Sequence, residues 1–207
     1  SYDLNRETYN GELTLSRFPL DRFLTVDSLG SASANFRLEG RYFSWPQAKT
    51  SVNAGIRQLF YKEHEYKDIT LQATLDKTHL RGTMVSKDPD APLDLVFRGD
   101  SLQQQYQVGL GGYIGKVDLQ ALHLMQEPLT MGLKVDLQGF IGEHSAYALK
   151  ARFDSLSMAD SRKTYTLGSL DIDMASDLKK TTLDVKTGDL QLTFRADTSL
   201  AGFGESA

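Results

Sequence analysis

Apolar and polar positions alternate with a period of two over most of the chain. This is the pattern of an antiparallel strand with one shielded and one wet face. Leu13 and Leu15 alternate with Glu12, Thr14 and Ser16, and Ala34, Phe36 and Leu38 with Asn35, Arg37 and Glu39. Ile69, Leu71, Ala73 and Leu75 alternate with Thr70, Gln72 and Thr74; Leu93, Leu95 and Phe97 with Asp94 and Arg98. Leu133, Val135 and Leu137 face away from Lys134, Asp136 and Gln138, and Tyr147, Leu149, Ala151 and Phe153 from Lys150, Arg152 and Asp154. Leu170, Ile172 and Met174 oppose Asp171 and Asp173, and Leu190, Leu192 and Phe194 oppose Gln191, Thr193 and Arg195. Weaker runs near 52–56, 80–84, 106–110, 117–124 and 183–185 bring the expectation to about a dozen strands.

Turn chemistry separates these runs: Asp88-Pro89-Asp90 with Pro92, Gly111-Gly112, Glu127-Pro128 and Thr187-Gly188-Asp189. Connections this short hold no crossover helix, so the fold class expected is all-β, an antiparallel meander. Phe18-Pro19-Leu20-Asp21-Arg22-Phe23-Leu24 is the exception, with proline near a first helical position; it predicts one or two helical turns plugging an end of the sheet. A second short turn is expected at Ile56–Phe60, where apolar residues fall three and four apart.

The chain also repeats itself. Leu93-Asp94-Leu95-Val96-Phe97-Arg98-Gly99-Asp100 recurs as Leu190-Gln191-Leu192-Thr193-Phe194-Arg195-Ala196-Asp197, with Phe97 and Phe194 97 positions apart. At the same offset Ala54, Ile56 and Leu59 map onto Ala151, Phe153 and Leu156. The expected organisation is one continuous unit: leading strands and a helical plug in 1–40, a first repeat in 38–102, connecting strands in 103–136 and a second repeat in 137–207. A repeat already under way at both ends suggests an internal slice of a longer array.

Composition narrows the function. The 207 residues are 40% hydrophobic and 10% aromatic, enough to bury a core, so disorder is excluded. The net charge of −4 is spread along the chain without a Lys/Arg block, which argues against nucleic acid. With no cysteine there is no disulfide framework and no thiolate site. No window approaches the roughly 18 apolar residues of a membrane-spanning helix.

No catalytic constellation emerges. His64, His79, His123 and His144 stand apart in sequence. His64, between Glu63 and Glu65, reads as a solvated turn residue, and His123, between Leu122 and Leu124, as a strand-face residue. The glycine-dense stretch Gly109–Gly115 reads as a flexible hairpin, because no helix N-terminus follows it to hold a phosphate. Asp171 and Asp173 share the polar face of one strand without a calcium loop. Arg98-Gly99-Asp100 reads as a strand-end turn. We expect no enzyme, no metal and no cofactor.

A dozen strands of about six residues, each roughly 20 Å long, would form a sheet roughly 60 Å across. Its greasy side must be hidden by a sandwich, a closed barrel, or a trough that accepts a greasy ligand. The face is mostly Leu, Ile, Val, Ala and Phe, with Trp45 the one tryptophan, and this favours the trough. The lipid-binding candidates are Leu71, Ala73, Leu75, Leu93, Leu95, Phe97, Leu133, Val135, Leu137, Ile172, Met174, Leu190, Leu192 and Phe194. The alternative is a closed β-sandwich that recognises glycan or protein through Tyr42, Phe43 and Trp45.

The chain resembles the TamB/AsmA-like family of Gram-negative envelopes. The resemblance is carried by Gly11-Glu12-Leu13-Thr14-Leu15 before Phe18-Pro19-Leu20, by Phe36-Arg37-Leu38-Glu39-Gly40, by Tyr66-Lys67-Asp68-Ile69-Thr70-Leu71 with Leu80-Arg81-Gly82-Thr83, and by the Leu-x-Leu-x-Phe-Arg-x-Asp ends of both repeats. It implies a long periplasmic β structure curled into a hydrophobic trough (a β-taco), anchored at the inner membrane. It also implies a part in outer-membrane biogenesis through lipid transport or protein assembly, partnered with an outer-membrane barrel of the TamA/BamA kind through segments outside this chain. The ligand implied is a phospholipid or another acyl chain.

Overall fold

The computed structural model describes residues 2–3, 7–23, 28–42, 47–102, 105–142, 146–160, 162–166 and 168–199. The strands are β1 (Tyr2–Asp3), β2 (Thr8–Pro19), β3 (Leu29–Arg41), β4 (Lys49–Tyr61), β5 (His64–Asp76), β6 (His79–Ser86) and β7 (Leu93–Leu102). They continue as β8 (Gln105–Asp118), β9 (Thr130–Ile141), β10 (Tyr147–Ala159), β11 (Thr164–Thr166), β12 (Leu170–Ser176), β13 (Thr181–Thr187) and β14 (Leu190–Ala196). All join one antiparallel sheet in chain order, except that β11 and β12 share one edge of β10. This is the expected all-β meander. Its strands run longer than expected, up to 14 residues in β8, or about 45 Å at roughly 3.3 Å per residue.

The register carries the alternation across the whole sheet. One row pairs Gly11, Leu38, Val52, Ala73, Gly82, Phe97, Leu110, Leu137, Ala151, Ile172, Val185 and Leu192 in succession. The next row, on the other face, pairs Glu12, Arg37, Asn53, Gln72, Thr83, Val96, Gly111, Asp136, Arg152, Asp171, Lys186 and Gln191. Directly opposed residues point to the same side, so one face is apolar from β2 to β14 and the other polar. Ion pairs lace the polar face, among them Lys49–Asp76 at 3.1 Å and Arg152–Asp171 at 3.6 Å. These are exposed and worth about 0–1 kcal/mol each.

The apolar face is also the shielded one. Among the described strand residues, every buried side chain lies on it: Ala32, Ala34, Ala54, Ser86, Leu95, Leu133, Val135, Ala151, Ser176 and Thr181. Among the described residues no second layer covers it. Apart from a 3-10 turn at Leu20–Arg22 against β3, substantial packing joins only sheet neighbours. Shielding of one face of a single layer arises from curvature, and the bulges supply it.

Five strands jump register at one end of the sheet, each beside two apolar residues three apart. The jumps fall at Leu15/Phe18 in β2, at Leu29/Ala32 in β3, between Ile56 and Gln58 in β4 (with Leu59 the next apolar residue), at Ile114/Val117 in β8, and between Asp154 and Ser157 in β10 (within the Phe153/Leu156 spacing). Arg17 and Ser155 within these jumps adopt positive φ of 46° and 55°. An extra residue in one strand bends it and increases its twist. It also keeps both flanking apolar residues on the same face. Ile56–Phe60 is therefore part of a bulged strand and not the helical turn that its spacing predicts. The other helical expectation stands, as the 3-10 turn with Phe18 stacked on Phe23 at 4.8 Å.

Three further expectations are corrected. Residues 119–129 form a loop, so no strand spans 117–124, and His123 sits in that loop with φ 55°. Gly109–Gly115 lies inside β8, where small residues make room for neighbours: the Arg98 side chain covers Gly109, and a Cβ on Gly112 would meet the Asp94 carbonyl at 2.1 Å. Arg98-Gly99-Asp100 lies within β7 and not in a turn.

Candidate functional site

All fourteen lipid-binding candidates occupy the apolar face, as the pairings Ala73–Gly82–Phe97, Gly112–Val135–Phe153 and Leu183–Phe194 illustrate. They fall into two environments. Leu95, Leu133 and Val135 are buried and form a cluster with Met84, Leu93, Leu110, Ile114, Leu137 and Phe153 around them. Here the protein fills its own face. Leu190, Leu192 and Phe194, by contrast, are 66%, 56% and 44% exposed. Leu71, Ala73, Leu75, Phe97, Ile172 and Met174 are half-buried between these extremes.

The exposed part extends beyond the candidates. Leu13, Leu38, Leu80, Tyr106, Val108, Ile141 and Tyr147 belong to the same face and are open to solvent. The sequence marked Leu13, Leu38 and Tyr147 as face residues, and the register adds the rest. Val108 lies beside Gly139, where an added Cβ would meet its Cγ2 at 2.7 Å; the valine leans over a glycine and leaves a smooth apolar surface. Phe97 lies over Gly82 in the same way.

The bulged end of the sheet is covered by its own loops. Residues 87–92 hydrogen-bond to β5 on one side, Lys87 N to Asp68 O at 3.2 Å, and to β8 on the other, Gly115 N to Pro92 O at 2.8 Å. Leu122 and Ala91 are buried in these loops. The opposite end, from Leu80 through Val108 to Ile141, carries exposed residues, as do β2 at Leu13 and β14. Among the described residues the trough is thus capped at one end and open at the other.

His64 departs most from its sequence reading. It begins β5 and is 11% exposed, not solvated. Its Nδ1 donates to the Ala121 carbonyl at 3.1 Å, and its ring packs edge-on against Tyr66 at 4.5 Å. Its Nε2 lies 3.6 Å from Asp88 Oδ2. Asp88, with its side chain 2% exposed, accepts backbone N–H groups from Lys67 at 2.8 Å, Asp90 at 2.9 Å and Ala91 at 3.2 Å. Burial, reinforced by the Asp88 charge, raises the Tyr66 hydroxyl above its ordinary range. Nothing in the local sequence signals this cluster, because Asp88 and Ala121 reach His64 only through the sheet.

The other polar groupings are ion pairs between neighbouring strands. Asp100 accepts from Arg81 Nη2 at 2.9 Å and His79 Nδ1 at 2.5 Å, which holds its carboxyl below the ordinary range. Asp171 and Asp173 pair with Arg152 and Lys150. Tyr42 is exposed, whereas Phe43, Trp45 and His144 lie outside the described residues. Among the described residues no helix is long and apolar enough to cross a membrane.

No family model, curated protein or solved structure matches the chain.

Proposed function

We propose that this chain is a non-enzymatic segment of a periplasm-spanning envelope biogenesis protein. In this reading its apolar face shelters lipid acyl chains for outer-membrane lipid transport or protein assembly. The observation that carries it is an apolar face continuous over the sheet with, among the described residues, no second layer upon it. A contiguous exposed apolar patch of this kind marks an interaction site. Each methylene moved from water onto such a face gains about 0.8 kcal/mol, so a sixteen-carbon chain has a ceiling of about 13 kcal/mol. Rows of equivalent Leu, Val and Ile side chains make successive positions along the face similar in energy, which suits gradual passage. The inner-membrane anchor and the barrel partner of the TamA/BamA kind belong, in this proposal, to parts of the protein outside the chain. A closed sandwich has no support in a single open sheet.

The test is native mass spectrometry of the chain purified from a Gram-negative envelope. Co-purified phospholipid is expected. Leu192→Asp should lower its occupancy about tenfold or more, since burial of one leucine is worth about 1.5–3 kcal/mol, with β content unchanged by circular dichroism. Absence of phospholipid from the unsubstituted chain would sink the reading. Aspartate at Leu95 or Val135 is the wrong test, because both are buried and the charge would unfold the cluster around them.

A further inference from the structure

We propose that His64, Asp88 and Asp90 bind one divalent transition-metal ion at the capped end of the sheet, with Zn²⁺ the ion whose chemistry fits best. The three side chains bring donor atoms within 4.8 Å of one another. The decisive atom is His64 Nε2, which is buried and has no hydrogen-bond partner. In the neutral ring that donates through Nδ1 to Ala121 O, Nε2 presents a bare lone pair to the Asp88 carboxylate. Two acceptors facing each other in a buried site repel, and an orphaned buried nitrogen is costly. A cation between them removes both penalties.

The His64–Asp88 geometry agrees. A separation of 3.6 Å is too long for a hydrogen bond. It matches the roughly 3.3–3.6 Å edge of a tetrahedron built on metal–ligand bonds of about 2.0–2.2 Å. Asp88 has a free site for it: of about four carboxylate lone-pair positions, three are taken by Lys67, Asp90 and Ala91 N–H groups. The carbonyl that orients His64 through its other nitrogen is the usual outer-shell support of a metal-bound imidazole. Asp90 is half-buried, so the ion has a route in and water can fill the fourth position. One imidazole with two carboxylates suits zinc and its neighbours better than calcium or magnesium, which take oxygen alone. A bound ion would tie the start of β5 to the 87–92 loop and, through Ala121, to the 119–129 loop.

The experiment is calorimetric titration of ZnCl₂ into the metal-stripped chain, free of any polyhistidine tag, near neutral pH. One stoichiometric site is expected. His64→Gln and Asp90→Asn should each weaken it by at least ~10-fold, while His79→Gln, at the opposite end of the sheet, should leave it unchanged. Asp90→Asn leaves the buried Asp88 network intact, so it decides the matter even if His64→Gln fails to fold. No stoichiometric binding, or binding indifferent to both substitutions, overturns the site. So does nitrogen NMR of the metal-free chain at neutral pH if both ring nitrogens of His64 carry protons and Zn²⁺ does not displace one.

Discussion

Gly82 sits under the Phe97 ring, and a methyl there would lie 2.2 Å from Phe97 Cζ and 2.7 Å from the Gln72 carbonyl. The ring can move but the carbonyl cannot, so Gly82→Ala should destabilise by about 1–3 kcal/mol in urea unfolding. A neutral result would mean that the ring does not lie over the glycine. A second device at this scale is a carboxylate accepting two backbone N–H groups of its own turn. Asp160 accepts from Arg162 and Lys163 at 2.7 Å each, and Asp177 from Lys179 at 2.7 Å and Lys180 at 2.9 Å. These bonds hold both carboxyls below the ordinary aspartate range. A lowered folded-state value means that the stabilisation is present above the unfolded value and is lost as pH falls through the folded one. An asparagine oxygen accepts the same bonds but does not titrate. The Asp160→Asn/Asp177→Asn double variant lacks this charge-dependent part, so it should be less stable than the parent near neutrality and converge on it below about pH 4, with a shallower acid slope. Equal acid slopes in the two proteins would contradict this.

Among the elements, alternation made the strands and their buried face legible, because a period of two survives wherever a strand is regular. It failed where the backbone is not. Ile56 and Leu59, three apart, look helical in isolation, yet Leu15/Phe18, Ile114/Val117 and Phe153/Leu156 repeat the spacing, and each marks a bulge. Three apolar residues in the order i, i+2, i+5 within a strand are thus a bulge signal, one already present in the repeated Ala-x-(Ile/Phe)-x-x-Leu segments. Deleting the bulge residue Ser155 should turn either Phe153 or Leu156 to the polar face. The expected cost is about 2–5 kcal/mol, the scale of removing a large core side chain, measured by chemical denaturation. Full stability of the deletion would show that the bulge sets nothing. The His64 cluster was illegible for a different reason: its partners come from the 87–92 and 119–129 loops, and only the register of β5 through β8 brings them together.

At the scale of the molecule, one sheet keeps its apolar side concave by bulging its strands, caps one end with loops and, among the described residues, leaves the other end and the final strands exposed. Among the described residues this arrangement leaves greasy surface unfilled, and the proposed function rests on it. The most direct measurement places a photo-crosslinking amino acid in turn at positions 190 to 195 and exposes the protein to phospholipid vesicles. The account predicts capture of lipid that alternates with the strand, from positions 190, 192 and 194 but not from 191, 193 and 195. Capture from both sets alike, or from neither, would contradict it.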